Sequence, residues 1–387
     1  MRFLFLMAVF IGSNLGAQPL RDINFNYLYS PNEPFSVDIQ PVRLASGWNV
    51  QYRLNLQDTL NQISDFEIQW EIRDGLQSKQ GKPIAADSVV KNEDSSERLS
   101  GTILVKQDLT VQLLVAKVTN IVLKRAWLFY TALEPKFPVN GYLTRNSLPV
   151  VERYIKVGTP LSVSGSSPAF VAYYDDVFPP APPAFEKAVG RVSPALRVDS
   201  SFVANPENPI SFAKTGLYLF QYDTLAAEGF TIRVEDDYPR LAKVESLADP
   251  LTYICTSQEM ARIRQAKGDK RAFDKVILSM TKDTERAKLF MKNYFRRVEL
   301  ANQYFTSYKE GWKTDRGMVY IIFGVPDQVF KTMEREIWYY KNSAYKITLE
   351  FAKSPTLFDP ENYVLLREKK FEYTLYQVID LLRNARF

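Results

Sequence analysis

At 387 residues the chain exceeds one ordinary domain, since a soft prior of about 150 residues per domain gives two or three. A composition of 46% hydrophobic and 24% charged residues, with 22 Tyr and 25 Phe, suits buried cores rather than a disordered chain. The net charge is +5, histidine is absent and Cys255 is the one cysteine. This excludes Ser-His-Asp and Cys-His nucleophiles, His proton shuttles, His-containing metal sites, intrachain disulfides and Cys-based zinc or iron–sulfur clusters.

The first segment reads as a cleavable leader. Arg2 is a short positive region, Phe3 to Ile11 an apolar run far below the ~20 residues of a spanning helix, and Gly12 to Ala17 supplies small residues before a cut after Ala17. No cysteine stands near that junction, so the expectation is an exported, soluble, periplasmic or secreted protein without a lipid anchor. Residues 18–250 hold 23 Lys and Arg against 27 Asp and Glu, or −4, whereas residues 251–387 hold 25 against 17, or +8. Basic residues from Arg262 to Arg297 are interleaved with Asp269, Asp274, Asp283 and Glu285, which favours a solvated helix face over an anionic site. Export argues against nucleic acid as partner.

From Phe25 to Leu133 the pattern is strand-like. Phe35 to Val42, Val50 to Leu56 and Phe66 to Ile72 alternate with period two, and Leu99 to Val105 and Val111 to Val115 continue it, predicting an antiparallel β-sandwich-like domain over 18–137. Prolines and Gly141 mark a boundary. A second β-rich domain is expected over 138–245, with strands at Val151 to Val157, Phe170 to Tyr174, Ala195 to Val203, Leu217 to Tyr222 and Phe230 to Val234. Inside it, Phe178 to Phe185 has PxxP spacing and reads as a stiff inter-strand loop rather than a ligand for proline-recognising domains.

After Asp237 the character turns helical. Leu251 to Gln265 is one predicted helix, and Arg271 to Phe305 is another that breaks near Thr281 to Thr284. Phe290, Tyr294, Val298, Ala301 and Phe305 fall on one stripe, expected to be a packing seam. Then comes Lys309-Glu-Gly-Trp-Lys-Thr-Asp-Arg-Gly, followed by Met318 to Phe323, which reads as an alternating strand. Gly324-Val-Pro-Asp, Glu336-Ile-Trp-Tyr-Tyr and Tyr345 to Phe351 complete a predicted three-stranded antiparallel meander with helices on one face, an α+β unit over 246–387. The fold class is therefore multidomain, β-sandwich-like domains followed by α+β.

Each residue of this region has a local backbone role. Gly311 fits a positive-φ position after a helix, and Trp312 folds back to close the helix end. Thr314 and Asp315 accept bonds from following N–H groups in a turn that Gly317 tightens. Gly324 and Pro326 punctuate the end of the predicted strand, and Trp338 and Tyr340 share one face of the next. Together with Arg316 and Asp327 these are the candidate motif and binding residues.

These elements, in this order over about residues 250–387, resemble the GWxTD-domain family of bacterial cell-envelope proteins, whose motif stands here as Gly311, Trp312, Thr314 and Asp315. The resemblance implies an envelope location and β-domains in front, and no reaction. Gly324-Val-Pro with Trp338-Tyr-Tyr is also similar to small lipoproteins of the outer-membrane barrel-assembly machinery, over some 30 residues. Enzyme motifs are incomplete. Ser279 to Lys282 fits S-x-x-K and Lys214 to Gly216 fits K-T-G, but their order is inverted and no S-D-N lies between. Phosphate-binding and GxGxxG loops are absent. Acid clusters at Asp175-Asp176 and Glu235 to Asp237 sit at predicted strand ends. The expectation is non-covalent binding to an envelope protein or outer-membrane-associated complex, with no cofactor, metal or catalysis. The alternatives are a carboxylate-dependent glycan hydrolase and a structural scaffold.

Overall fold

The structure, a computed structural model, describes residues 18–106, 112–133, 136–175, 177–186, 196–266, 268–341 and 344–386. The leader read at residues 1–17 lies outside the described residues, as do Val111, Asp176 and Ala195.

The first unit is a sandwich. It contains β1 (Phe35–Leu44), β2 (Gly47–Leu56), β3 (Phe66–Arg73), β4 (Lys82–Pro83), β5 (Val89–Ser95), β6 (Arg98–Lys106), β7 (Gln112–Asn120) and β8 (Arg125–Leu133). Two antiparallel sheets, β1-β2-β6-β5 and β4-β3-β7-β8, enclose a core with Phe35, Trp48, Trp70, Ile103, Val118 and Trp127. Period two forces one face of each strand inward. On β7 both faces are covered. Leu114, Ala116 and Val118 enter the sandwich core, while Leu113 and Val115 join the core of the C-terminal unit.

The second unit contains β9 (Leu143–Arg145), β10 (Leu148–Pro149), β11 (Tyr154–Lys156), β12 (Ser162–Val163), β13 (Ala169–Tyr174), β14 (Ser200–Ala204), β15 (Gly216–Gln221) and β16 (Phe230–Glu235). A small sheet, β10-β9-β12, faces a larger one, β11-β16-β15-β13-β14, in which only the β11–β16 pair is parallel. Every residue of β15 is buried because Leu217 and Leu219 pack against Phe178, Tyr308 and Phe358 on the outer side.

The C-terminal unit contains α1 (Val244–Ala248), α2 (Ser257–Gln265), α3 (Lys270–Thr281), α4 (Thr284–Phe305), α5 (Asp315–Phe323), β17 (Gln328–Lys331), β18 (Arg335–Tyr340), β19 (Ile347–Lys353), β20 (Tyr363–Leu365) and α6 (Phe371–Arg383). The predicted break falls between α3 and α4, where Asp283 caps α4, and the whole aromatic stripe from Phe290 to Phe305 is buried. Two expectations are corrected. Met318 to Phe323 is helix, not strand: Thr314 caps α5, and the segment is surrounded by core, so its apolar run carries no readable period. The meander accordingly has four strands, β17-β18-β19-β20.

Residues 18–30 tie the first unit to the third. Phe25 N–H donates to the Val329 carbonyl (2.8 Å) and Val329 N–H to Asn24 Oδ1 (2.8 Å), occupying the outer edge of β17. The Tyr27 hydroxyl reaches the Leu128 carbonyl, and Tyr320 donates to the Tyr29 carbonyl (2.9 Å).

Candidate functional site

The motif corner begins where the chain recrosses the end of α4. Gly311–Lys313 forms a 3-10 turn, and a Cβ on Gly311 would stand 2.1 Å from the Ala301 carbonyl oxygen. Close approach demands the glycine here. Its φ is not positive, which corrects the helix-end reading. The Gly317 Cβ would lie 1.9 Å from the Gly311 oxygen, so the two glycines let the turn and α5 touch. Asn302, fully buried, fixes the crossing: its Oδ1 accepts from Trp312 N–H (3.0 Å) and its Nδ2 donates to the Pro239 carbonyl (2.8 Å). The Trp312 ring is buried edge to face with Tyr253, whose hydroxyl donates to the Trp312 carbonyl (2.9 Å).

Thr314 donates to the Gly311 carbonyl (2.8 Å) and accepts from Gly317 N–H (3.0 Å), which makes it the N-cap of α5. Asp315 makes no turn, contrary to expectation. Its Oδ1 accepts from Arg367 Nη2 (2.6 Å), and its Oδ2 accepts from Arg367 Nη1 (3.0 Å) and Leu365 N–H (2.7 Å). Arg367 continues to the carbonyls of Pro182 and Pro183 (3.1 and 3.3 Å), and Ala181 N–H donates to the Lys313 carbonyl (3.0 Å). The PxxP segment therefore lies against its own chain, with Ala181 and Ala184 buried.

The remaining candidates are framework. Gly324 ends α5 at φ +82° and its carbonyl accepts from Tyr340 (2.9 Å). Pro326 is buried, and Asp327 Oδ2 accepts from Lys341 N–H (2.6 Å) while its carbonyl accepts from Asn24 and Asn26. Trp338 and Tyr340 share the inner face of β18 with Glu336, as their alternation requires. At the border with the second unit, Arg233 on β16 pairs with Glu235 and donates to the Tyr308 carbonyl (2.8 Å), with Glu310 at 3.7 Å. Glu310 also takes Lys313 (2.8 Å).

Arg316, next to Asp315 in the motif, lines a cavity of about 700 Å³ where the three units meet. Its guanidinium lies 4.4 Å over Tyr363 and makes two long hydrogen bonds, to Glu336 Oε2 and to the Glu361 carbonyl, each 3.4 Å. Lys331 Nζ stands 3.6 Å from the same Oε2 and 5.9 Å over the Tyr130 ring. Glu336 Oε1 is filled by Tyr29 (2.6 Å) and Trp338 Nε1 (2.7 Å). Burial pushes Glu336 up, but Lys331 and Arg316 outweigh it and hold the carboxyl below its ordinary range. Asp38 lines the same cavity, where the surrounding protein partly desolvates its carboxyl and raises it to about 6 although the side chain keeps contact with solvent. Lys331, Tyr130 and Tyr363 carry no sequence signal, since three distant segments bring them together.

A second surface lies at one end of the first sandwich. The β7–β8 hairpin turns through Ile121, Val122 and Leu123, exposed by 54, 68 and 64%. Buried Asn120 accepts from the N–H groups of Val122 (3.0 Å) and Leu123 (2.8 Å), and its Nδ2 reaches Asn61 in the neighbouring loop (3.0 Å). That loop presents Leu60, 90% exposed, with Asp58 accepting from its N–H. An unbroken apolar triplet after Asn120, at the end of a strand pattern, is the signal the sequence reading passed over.

Among the described residues no group of three His, Cys, Asp or Glu is placed to hold a metal, and no helix is long and apolar enough to cross a membrane. No curated protein matches the sequence. Similar solved structures include Titin-A168169, at 13% identity over 52% of this chain and 97% of that one with a TM-score of 0.20. Dpr11 IG1 bound to DIP-gamma IG+IG2 matches at 9% identity over 52% and 97%, with a TM-score of 0.19. The titin I-band fragment I67-I69 matches at 14% over 53% and 66%, with a TM-score of 0.18. Residues 216–384 match the model of the GWxTD domain, a range that opens on β15 and so takes in Arg233 with the corner it braces. The C-terminal region of this chain is a GWxTD domain.

Proposed function

We propose that the protein is exported to the cell envelope and works there by non-covalent docking onto another envelope component. The apolar hairpin tip carries this reading. Leu60, Ile121, Val122 and Leu123 are held in place by buried Asn120 and by Asp58, and a rigid cluster of exposed apolar side chains marks an interaction site. A purely structural scaffold would bury them. The motif corner supports the same division of labour from the other side: Trp312, Thr314 and Asp315 are engaged within the chain and serve as framework.

A photo-crosslinking residue at Val122 tests the reading in the native envelope. Docking predicts one discrete adduct from Val122, absent from a control at exposed Lys91 and lost in the Leu123→Asp variant. The same adducts from both positions overturn it.

A second reading, acid–base hydrolysis of a glycan, has one observation in its favour. Asp38 lines the cavity together with Glu152, and two carboxyl groups in one cleft are the pairing such chemistry uses. Glycan turnover by the purified protein, abolished in Asp38→Asn, decides for it.

A further inference from the structure

We propose that the cavity between the three units binds an oxyanion, a carboxylate or phosphate carried by a small molecule, between Arg316 and Lys331. The charge at this spot does not balance. Two cations share a single oxygen of one carboxylate, at 3.4 and 3.6 Å, while the other Glu336 oxygen is filled by Tyr29 and Trp338. The nearby acids are committed elsewhere: Glu361 is paired with Lys353 (2.9 Å), Asp359 with Arg153 (2.8 Å) and Glu152 with Arg53 (2.5 Å), and the cations that act on Asp38 are Arg53, Arg153 and Arg98.

Further hydrogen-bond donors line the same cavity. The side chains of Arg316 and Lys331 keep 15 and 18% of their surface, and both residues line the cavity with Tyr130 and Tyr363. Neither tyrosine hydroxyl has a partner among the described residues, and burial raises both far above the phenol range, so each stays a neutral donor. A guanidinium and an ammonium sharing one carboxylate oxygen, in a cavity that two unpaired phenols also line, match an oxyanion better than a neutral or cationic group. A volume of about 700 Å³ leaves room for the body of the ligand beyond its charged head, and the walls come from all three units, where ligand pockets commonly form.

The site is independent of the hairpin tip. Titration calorimetry on the purified chain, with inorganic phosphate, glucuronate, glucose 1-phosphate and neutral glucose as probes, tests it. At least one oxyanion probe binds, glucose does not, and added salt weakens the binding. Phosphate against carboxylate preference identifies the head group. Lys331→Gln lowers affinity about tenfold, and Tyr130→Phe or Tyr363→Phe lowers it several-fold, the two phenylalanine variants with melting unchanged. Leu123→Asp leaves the affinity as it is, which separates this site from docking at the tip. No binding of any oxyanion probe, or equal affinity in Lys331→Gln and Tyr363→Phe, overturns the proposal.

Discussion

Asp315 and Arg316 are neighbours in sequence and opposites in use. Asp315 turns into the body of the domain, where three donors at 2.6 to 3.0 Å saturate its carboxylate, and its partner Arg367 is 4% exposed. Arg316 makes only two hydrogen bonds, each 3.4 Å, lies over the Tyr363 ring and lines a cavity. The lesson is that the residues which identify the domain build it, and chemistry with an outside partner is left to what stands beside them. A bond already made at full strength within the chain has nothing left for a ligand.

The largest expected effect tests the closed side. Asp315→Ala leaves the Arg367 guanidinium buried without its counter-ion, which should cost about 3–5 kcal/mol in urea unfolding. A loss below ~1 kcal/mol would mean that Asp315 is no framework residue, and the contrast with Arg316 would fail. Trp312→Ala probes the same corner through packing alone. With the ring 5% exposed, truncation should cost about 3–5 kcal/mol, and normal unfolding with weakened capture of an envelope partner would move Trp312 to the open side. Gly311→Ala is smaller in atoms and still expensive, because the methyl meets backbone 2.1 Å away rather than a side chain that could swing aside. About 1–3 kcal/mol is expected, read from the same urea midpoint.

How much of this was legible in the sequence depends on whether a residue acts locally. The helix break before Asp283, the buried stripe on α4 and the alternation of Trp338 and Tyr340 all follow from spacing. Thr314 was readable as a local acceptor, and it is one. Asp315 was not, since its partners lie fifty residues on, at Leu365 and Arg367. Met318 to Phe323 misled for a different reason: a segment covered on every side has no polar face to reveal its period. Gly311 shows a third failure. A glycine needed for close packing looks, in sequence, like one needed for positive φ.

The smallest effect extends the contrast to pH. Glu259 belongs to the closed side: two bonds from Arg383 (2.7 and 2.8 Å), with Thr256 N–H (2.7 Å), hold its carboxyl down at about 2 against an ordinary 4.5. Asp38 lines the cavity with its side chain still in contact with solvent, and partial desolvation there raises it from 3.8 to about 6. The signs are opposite. A depressed carboxyl contributes stability that is present above its unfolded value, so the Glu259 share is lost as pH falls from 4.5 toward 2. A raised carboxyl favours the folded state below its unfolded value, so the Asp38 share is present below 3.8 and lost as pH rises through about 6. In Tm measured against pH, Glu259→Gln should flatten the acid limb alone. Asp38→Asn should flatten the slope between about pH 4 and 6 and raise Tm at neutral pH, because the wild type there holds a charge that its surroundings disfavour. An Asp38→Asn profile that keeps the wild-type slope would place Asp38 in ordinary solvent and remove it from the cavity wall.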